Sequence, residues 1–239
     1  MAGGLIGLSL PPARVFSQAV GSEKGEYQVP PHSLSSGPGF GNRIAVTFDD
    51  GPSPGITEIV LKELANRKLC ATFFMIGSKV QMYPALAKEV ADAGHEIGNH
   101  SWDHPALSKM SEDKVDSQLQ RTQDAIFAAT GKTPVWFRPP YGAFRVKDQG
   151  HIPASKGLGI VFWSVDPRDW SQPGAETITS RVMTATVPGS IVLLHDLHPQ
   201  TATAVPGILD QLEDKDFNLT HISGFVGAPY ASYYTANKT

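Results

Sequence analysis

The sequence predicts an α/β fold in which a parallel sheet is covered by helices. From Arg43 onward, short strand-like runs alternate with amphipathic segments about seven times. Runs such as "RIAVTF", "ATFFMIG" and "IVLL" are too apolar to belong to a half-exposed sheet. Reactive side chains also recur just after several runs, and in a β/α barrel those strand ends share one rim. About seven strands favour a barrel, while the pattern alone does not separate a closed sheet from an open one.

Taken in order, "RIAVTF" at 43–48 reads as a strand. "GITEIVLKELANRK" reads as a helix with Ile56, Ile59, Val60 and Leu64 on one face. "ATFFMIG" is a second strand. Pro84 suits a first helical turn, with Leu86, Ala87 and Val90 inward and Gly94 as the stop. "HEIGNH" follows as a short strand and loop. The clearest helix is 111–130: Ser111 can cap it, Val115, Leu119, Thr122, Ile126 and Ala129 share a face, and Gly131 ends it. "PVWFRPPYG" is a strand running into a turn that two prolines stiffen. "GIVFWSVD" is a further strand, with a helix near 174–186. "GSIVLLHD" is the next, with a helix near 203–215, and "FNLTHI" closes the series.

The chain of 239 residues suits a single domain with ample core. A net charge of −3 leaves no basic footprint, which argues against nucleic acid. No apolar run approaches the ~18 residues of a membrane span. Cys70 is the only cysteine, so no internal disulfide forms, and before "ATFFMIG" it reads as a small buried hydrophobe. The apolar "GGLIGLSL" and the small-x-small end of "FSQA" read as a remnant export signal or simply as a disordered tail, since Arg14 is the first basic residue. The expectation is an exported protein, periplasmic, cell-wall or extracellular. Residues 21–42, rich in Gly, Pro and Ser, read as a linker or arm rather than core.

Five clusters follow five runs. Asp49 and Asp50 follow "AVTF", and His100 and His104 follow "HEIGN"; Arg138 follows "VWF". Asp166 and Asp169 follow "VFWSV", and His195 and Asp196 follow "IVLL". In "HSWDH" the two histidines meet if the segment turns helically. Two imidazoles and a carboxylate form a common three-ligand set with an open position; zinc suits it best, and cobalt or nickel is accepted. "HEIGNH" mimics a zincin helix, but its second histidine is one residue late and Gly98 weakens a helix, so His95 and Glu96 are assigned to the strand. The glycosylation sequons at Asn99, Asn218 and Asn237 are noted; at Asn99 a sugar would sit on the ligands, so that match reads as accidental.

In this order, "TFDDGP", "HSWDH", "RPPYG", "DPRDW" and "LLHD" resemble the five motifs of the NodB-type polysaccharide deacetylases, carbohydrate esterase family four. The likeness spans about 43–222, leaving 1–42 as an N-terminal tail and 223–239 as a C-terminal extension. The resemblance implies a distorted (β/α) barrel and removal of acetyl groups from polysaccharides with a divalent metal. It implies Asp50, His100 and His104 as metal ligands, Asp49 as general base and His195 as general acid. Asp169 would hold the His195 imidazole and raise its pKa, and Arg138 would orient Asp49. The backbone N–H of Tyr141 would face the oxyanion, with its side chain as the alternative donor. Trp170 and Leu193 would wall the acetyl group, with Pro139 beside them. Arg138 also reads as a structural ion-pair partner and Trp170 as plain core. Asp166 reads as a cap on the following turn, Asp196 as a loop anchor through backbone hydrogen bonds, and His198 as a surface-loop residue. The expected substrate is an N-acetylglucosamine polymer, chitin-like or peptidoglycan, acted on by a monomer. An O-acetyl esterase on xylan is the alternative, and a non-catalytic sugar-binding module a third reading.

Overall fold

Strand β2 (Arg43–Asp49) shows how the barrel is built. Its residues alternate: Ile44, Val46 and Phe48 join the large core shared with the helices, while Ala45 belongs to a second core inside the sheet. Strands β3 (Thr72–Met75), β4 (Glu96–Asn99), β5 (Trp136–Phe137), β6 (Gly159–Val161) and β7 (Ile191–His195) repeat the pattern. Each strand therefore sends one column of side chains toward the interior, and the last of each column arrives at the rim.

The computed structural model describes residues 33–39, 41–144 and 155–226. The apolar segment and cleavage-like site near the N-terminus, residues 227–239 and the sequon at Asn237 lie outside the described residues. Among the described residues no helix is long and apolar enough to cross a membrane. With β1 (Ser33–Leu34), the strand order is β1-β6-β5-β4-β3-β2-β7, every pair parallel, and β8 (Asn218–Leu219) pairs with β2. The sheet curls until Val165, just past β6, meets Val192 of β7 in a single parallel bridge. The fold is thus a distorted parallel barrel wrapped by helices, as the sequence predicts.

The helices are α1 (Thr57–Arg67), α2 (Gly77–Met82), α3 (Pro84–Asp92), α4 (Glu112–Thr130), α5 (Ala175–Ala185), α6 (Pro199–Asp214) and α7 (Ser223–Val226). Pro84 stands at the start of α3, which buries Leu86, Ala87 and Val90 as expected. Gly131 ends α4 in the left-handed conformation.

Several expectations are corrected. Ile59 is exposed at 43%, and Leu61 takes the buried position, because α1 starts at Thr57 and its face is rotated from the one expected. Ser111 holds the N-cap position of α4 but its side chain makes no capping hydrogen bond. Helix α6 begins at Pro199 rather than near 203, since proline at the first turn lacks an N–H that would be orphaned there anyway. The arm expected to be linker contributes β1, and Gly37 N–H donates to Gly189 O. Cys70 is half-buried rather than buried, and burial raises its thiol pKa.

Candidate active site

Asp49 ends the inward column of β2 that passes through Ala45 and Thr47, and its side chain is 3% exposed. Asp50 follows at φ 75°, a left-handed twist that aims its carboxylate elsewhere. Gly51 comes next, where a Cβ would run into the buried Asp196 carboxylate. Adjacent acids thus face different partners.

The first partner set is His100 and His104. Both Nε2 atoms lie 3.3 Å from Asp50 Oδ1, and one donor atom from each of the three residues falls within 4.8 Å of the others. His100 Nδ1 lies 2.7 Å from Arg138 O. A carbonyl only accepts, so Nδ1 carries the proton and the Nε2 lone pair faces Asp50. Asp50 Oδ1 is buried and receives no hydrogen bond. Electron-rich atoms converging without a proton between them are the donor set a divalent cation fits. Burial raises the Asp50 pKa; when the neighbouring imidazoles are protonated, the His100 contact and the charges of His100, His104 and His195 outweigh it and hold the carboxyl below its ordinary value. Burial and the charge of His100 lower His104, against the opposing pull of the two aspartates.

The two histidines do not meet through a helical turn, as expected. Residues 100–104 form a loop in which Ser101 (φ 66°) and His104 (φ 60°) take left-handed conformations, leaving the rings 4.9 Å apart.

The second partner set belongs to Asp49. Arg138, fully buried, donates from Nη1 to Asp49 Oδ1 and to Thr47 Oγ1, each at 2.7 Å, and from Nη2 to Phe162 O at 3.0 Å. Its guanidinium stacks 4.1 Å from the centre of the Phe74 ring. Burial lowers the Arg138 pKa and Asp49 opposes this. Asp49 Oδ2 is left toward the site, 3.6 Å from His100 Nε2.

His195 ends β7, with Nδ1 2.8 Å from Asp169 Oδ1. Asp169 is itself saturated, accepting from His195 N–H, Thr201 Oγ1 and Trp170 N–H. Burial disfavours the imidazolium, yet the Asp169 hydrogen bond and charge, helped by Asp49 and Asp50, push His195 up to about 9.

Asp49, Asp50, His100, His104 and His195 open into one cavity of about 460 Å³, with Pro139, Tyr141, Trp163, Asp166, Trp170 and Leu193 as walls. Leu193 is buried, whereas Trp170 is 53% and Tyr141 69% exposed, so Trp170 is not core. Tyr141 packs edge-on against His104, with centroids 4.6 Å apart. At φ 60° its backbone N–H makes no hydrogen bond among the described residues. Asp166 caps its turn by accepting from Arg168 N–H. Asp196 is held chiefly by the Thr57 hydroxyl, which donates to Oδ2, while Oδ1 is buried without a hydrogen bond among the described residues. His198 is half-buried just before α6, its ring 6.5 Å from that of His195. Asn99 is fully buried, in keeping with an accidental sequon.

A family model described as polysaccharide deacetylase matches residues 37–161. The chain belongs to the polysaccharide deacetylase family. A peptidoglycan-N-acetylglucosamine deacetylase of Listeria monocytogenes is 42% identical over 185 residues, 77% of this chain and 39% of that protein. The chain thus matches about two fifths of that relative's length. A chitooligosaccharide deacetylase of Rhizobium leguminosarum bv. trifolii is 37% identical over 190 residues, 74% of this chain and 88% of the other. Among solved structures, peptidoglycan deacetylase PdaC from Bacillus subtilis superposes with a TM-score of 0.73 at 35% identity, covering 82% and 94% of the two chains. BA3943, a carbohydrate esterase family four pseudoenzyme from Bacillus anthracis, does so at 0.77 and 30%, covering 82% and 69%. The fold is thus shared with a protein described as a pseudoenzyme, so likeness of fold alone does not carry activity.

Sequence reasoning missed Thr47, Trp163, Asn99 and Gln118. Trp163 sat in the strand-end run "VFWSVD" and could have been found there. Thr47 accepts from Arg138, Gln118 accepts from Trp102 and Asp103 N–H, and Asn99 accepts from Ser101 N–H while donating to Leu119 O, contacts that are mostly distant in sequence.

Proposed function

We propose that this polysaccharide deacetylase removes N-acetyl groups from N-acetylglucosamine polymers, peptidoglycan or chitin-like chains, as a metal-dependent hydrolase. The observation that carries this reading is one cavity holding a three-atom cation cradle, a carboxylate outside that cradle and an imidazole raised by its own aspartate. Asp50, His100 and His104 would hold the cation; two nitrogens and one oxygen suit zinc, with cobalt or nickel as substitutes. Such a cation supplies Lewis acidity, polarising the acetyl carbonyl and making water nucleophilic near neutral pH.

The chain's own residues do the rest. Asp49, held by Arg138 at Oδ1, accepts the attacking water's proton at Oδ2. The Tyr141 N–H faces the developing oxyanion; one such donor contributes ~3 kcal/mol. His195, its Nδ1 proton fixed by Asp169, gives its Nε2 proton to the departing nitrogen. Leu193, Pro139 and Trp170 enclose the acetyl methyl, and Tyr141 and Trp170 offer exposed aromatic faces to the sugars. Action on a cell-wall polymer would call for an exported protein, the localisation we propose with it. The Listeria and Rhizobium relatives are named as deacetylases of N-acetylglucosamine units and chitooligosaccharides, which favours N-acetyl over the O-acetyl groups of xylan.

The test incubates zinc-loaded protein with chitooligosaccharides, peptidoglycan and acetylxylan, and follows loss of acetyl by mass spectrometry. Deacetylated glucosamine polymers are expected, and their absence overturns the reading. Asp49→Asn should keep zinc at full stoichiometry while losing turnover by about 10²–10⁴-fold. His100→Ala should lose zinc and activity together; full zinc occupancy in that variant would contradict the ligand assignment.

A further inference from the structure

We propose that Gln118, on α4, is a positioning residue that sets where His104 stands in the cation cradle. The proposal rests on the reading of Asp50, His100 and His104 as cation ligands.

Gln118 lies on the buried face of α4 at 9% exposure, between Val115 and Leu119, where packing calls for an apolar side chain. Its amide is spent on the loop between the two histidines. Oε1 accepts from Trp102 N–H at 2.7 Å and Asp103 N–H at 3.3 Å, and Nε2 donates to Asp103 Oδ1 at 2.7 Å. Those two N–H groups have no backbone acceptor among the described residues. On the opposite side, Ser101 O and Trp102 O accept from Gly77 and Ser78 N–H at the start of α2. The loop is therefore gripped by its carbonyls from one helix and by its N–H groups from another.

The consequence falls on His104. At φ 60° its backbone is in the left-handed region, which a residue with a side chain enters rarely and where its surroundings must hold it. The residue immediately before it, Asp103, is pinned by Gln118 at both its N–H and its carboxylate. His100 needs no such help, because Arg138 O orients its ring directly. Gln118 thus acts on one ligand of the three.

The test compares zinc affinity, by chelator competition, and the visible spectrum of the cobalt-loaded protein, with folding checked by circular dichroism. Gln118→Leu should fold, bind one zinc with affinity reduced about 10–100-fold, and shift the cobalt bands. Gln118→Glu keeps the acceptor but sets a second carboxylate against Asp103; adding Asp103→Asn restores a donor–acceptor pair. Weak binding in the single variant and recovery in the double one are expected. Wild-type affinity and cobalt spectrum in Gln118→Leu overturn the proposal. If Gln118→Leu does not fold, equal affinities in Gln118→Glu and the double variant overturn it. If the wild-type protein binds no zinc, or His100→Ala binds it equally well, the ligand reading itself fails, separately from Gln118.

Discussion

Replacing Asp169 with asparagine should move the alkaline limb of activity. An isolated imidazole titrates near 6.5, whereas His195 is pushed to about 9. That difference is worth about 3 kcal/mol, shared among Asp169, Asp49 and Asp50 with the first named as the largest favourable source. Asparagine keeps the shape but presents one NH₂ where a carboxylate accepted four hydrogen bonds. If its oxygen serves His195 N–H and Thr201, the NH₂ meets His195 Nδ1 and penalises the imidazolium. The sign follows: the acid is available below its pKa, so lowering that value removes it first at high pH. The limiting fall from about 9 to 6.5, with the whole shift lost, would leave about 30-fold less imidazolium at pH 8, and the part owed to Asp49 and Asp50 makes the expected loss smaller. The assay is kcat/KM against pH for acetate release from a chitooligosaccharide, with both proteins zinc-loaded so that the cation's own push on the ring is common to both. His195 ring titration by NMR gives the same quantity directly. An alkaline limb that stays in place in a folded, zinc-replete Asp169→Asn protein would falsify the coupling.

Arg138→Met should leave Asp49 buried without its partner, costing about 3–5 kcal/mol and lowering Tm by on the order of 10 °C in thermal unfolding. Adding Asp49→Asn should recover most of that loss, and no recovery would assign the cost to packing against Phe74. Burial, with the charge of His221, holds His95 down to about 4, against an ordinary 6.5. The unfolded chain then takes up a proton that the folded one refuses, so stability is complete above about 6.5 and falls as pH drops toward 4. The ceiling is about 3 kcal/mol, and urea midpoints at neutral and mildly acidic pH should differ more in wild type than in His95→Gln.

The sequence made the strands legible because doubly buried strands are apolar throughout, and it made the rim legible because polar residues interrupt them at one end only. Asp49, Asp50, His100, His104, Arg138, Asp169 and His195 come together as that pattern implied. What failed to show was structure fixed by distant contacts. The six residues of α2 are too short for a helical period to emerge, and β1 hides in Gly- and Ser-rich chain because its two residues are ordered by β6. The loop 100–104 depends on positive φ angles that local propensity does not encode for serine or histidine. Gln118 and Asn99 read as ordinary polar residues until their partners in the fold are known.

Strand β1 has a practical consequence for anyone trimming the gene. The family match starts at residue 37, two residues after the β1 turn has begun, and a fragment cut there would strip Ser33 and Leu34 from the flank of β6. The bare flank would offer unpaired peptide groups beside apolar Ile160 and Val161, a template for sticking to other copies. Such a fragment should express as aggregate, whereas one begun upstream of Ser33 should stay in solution.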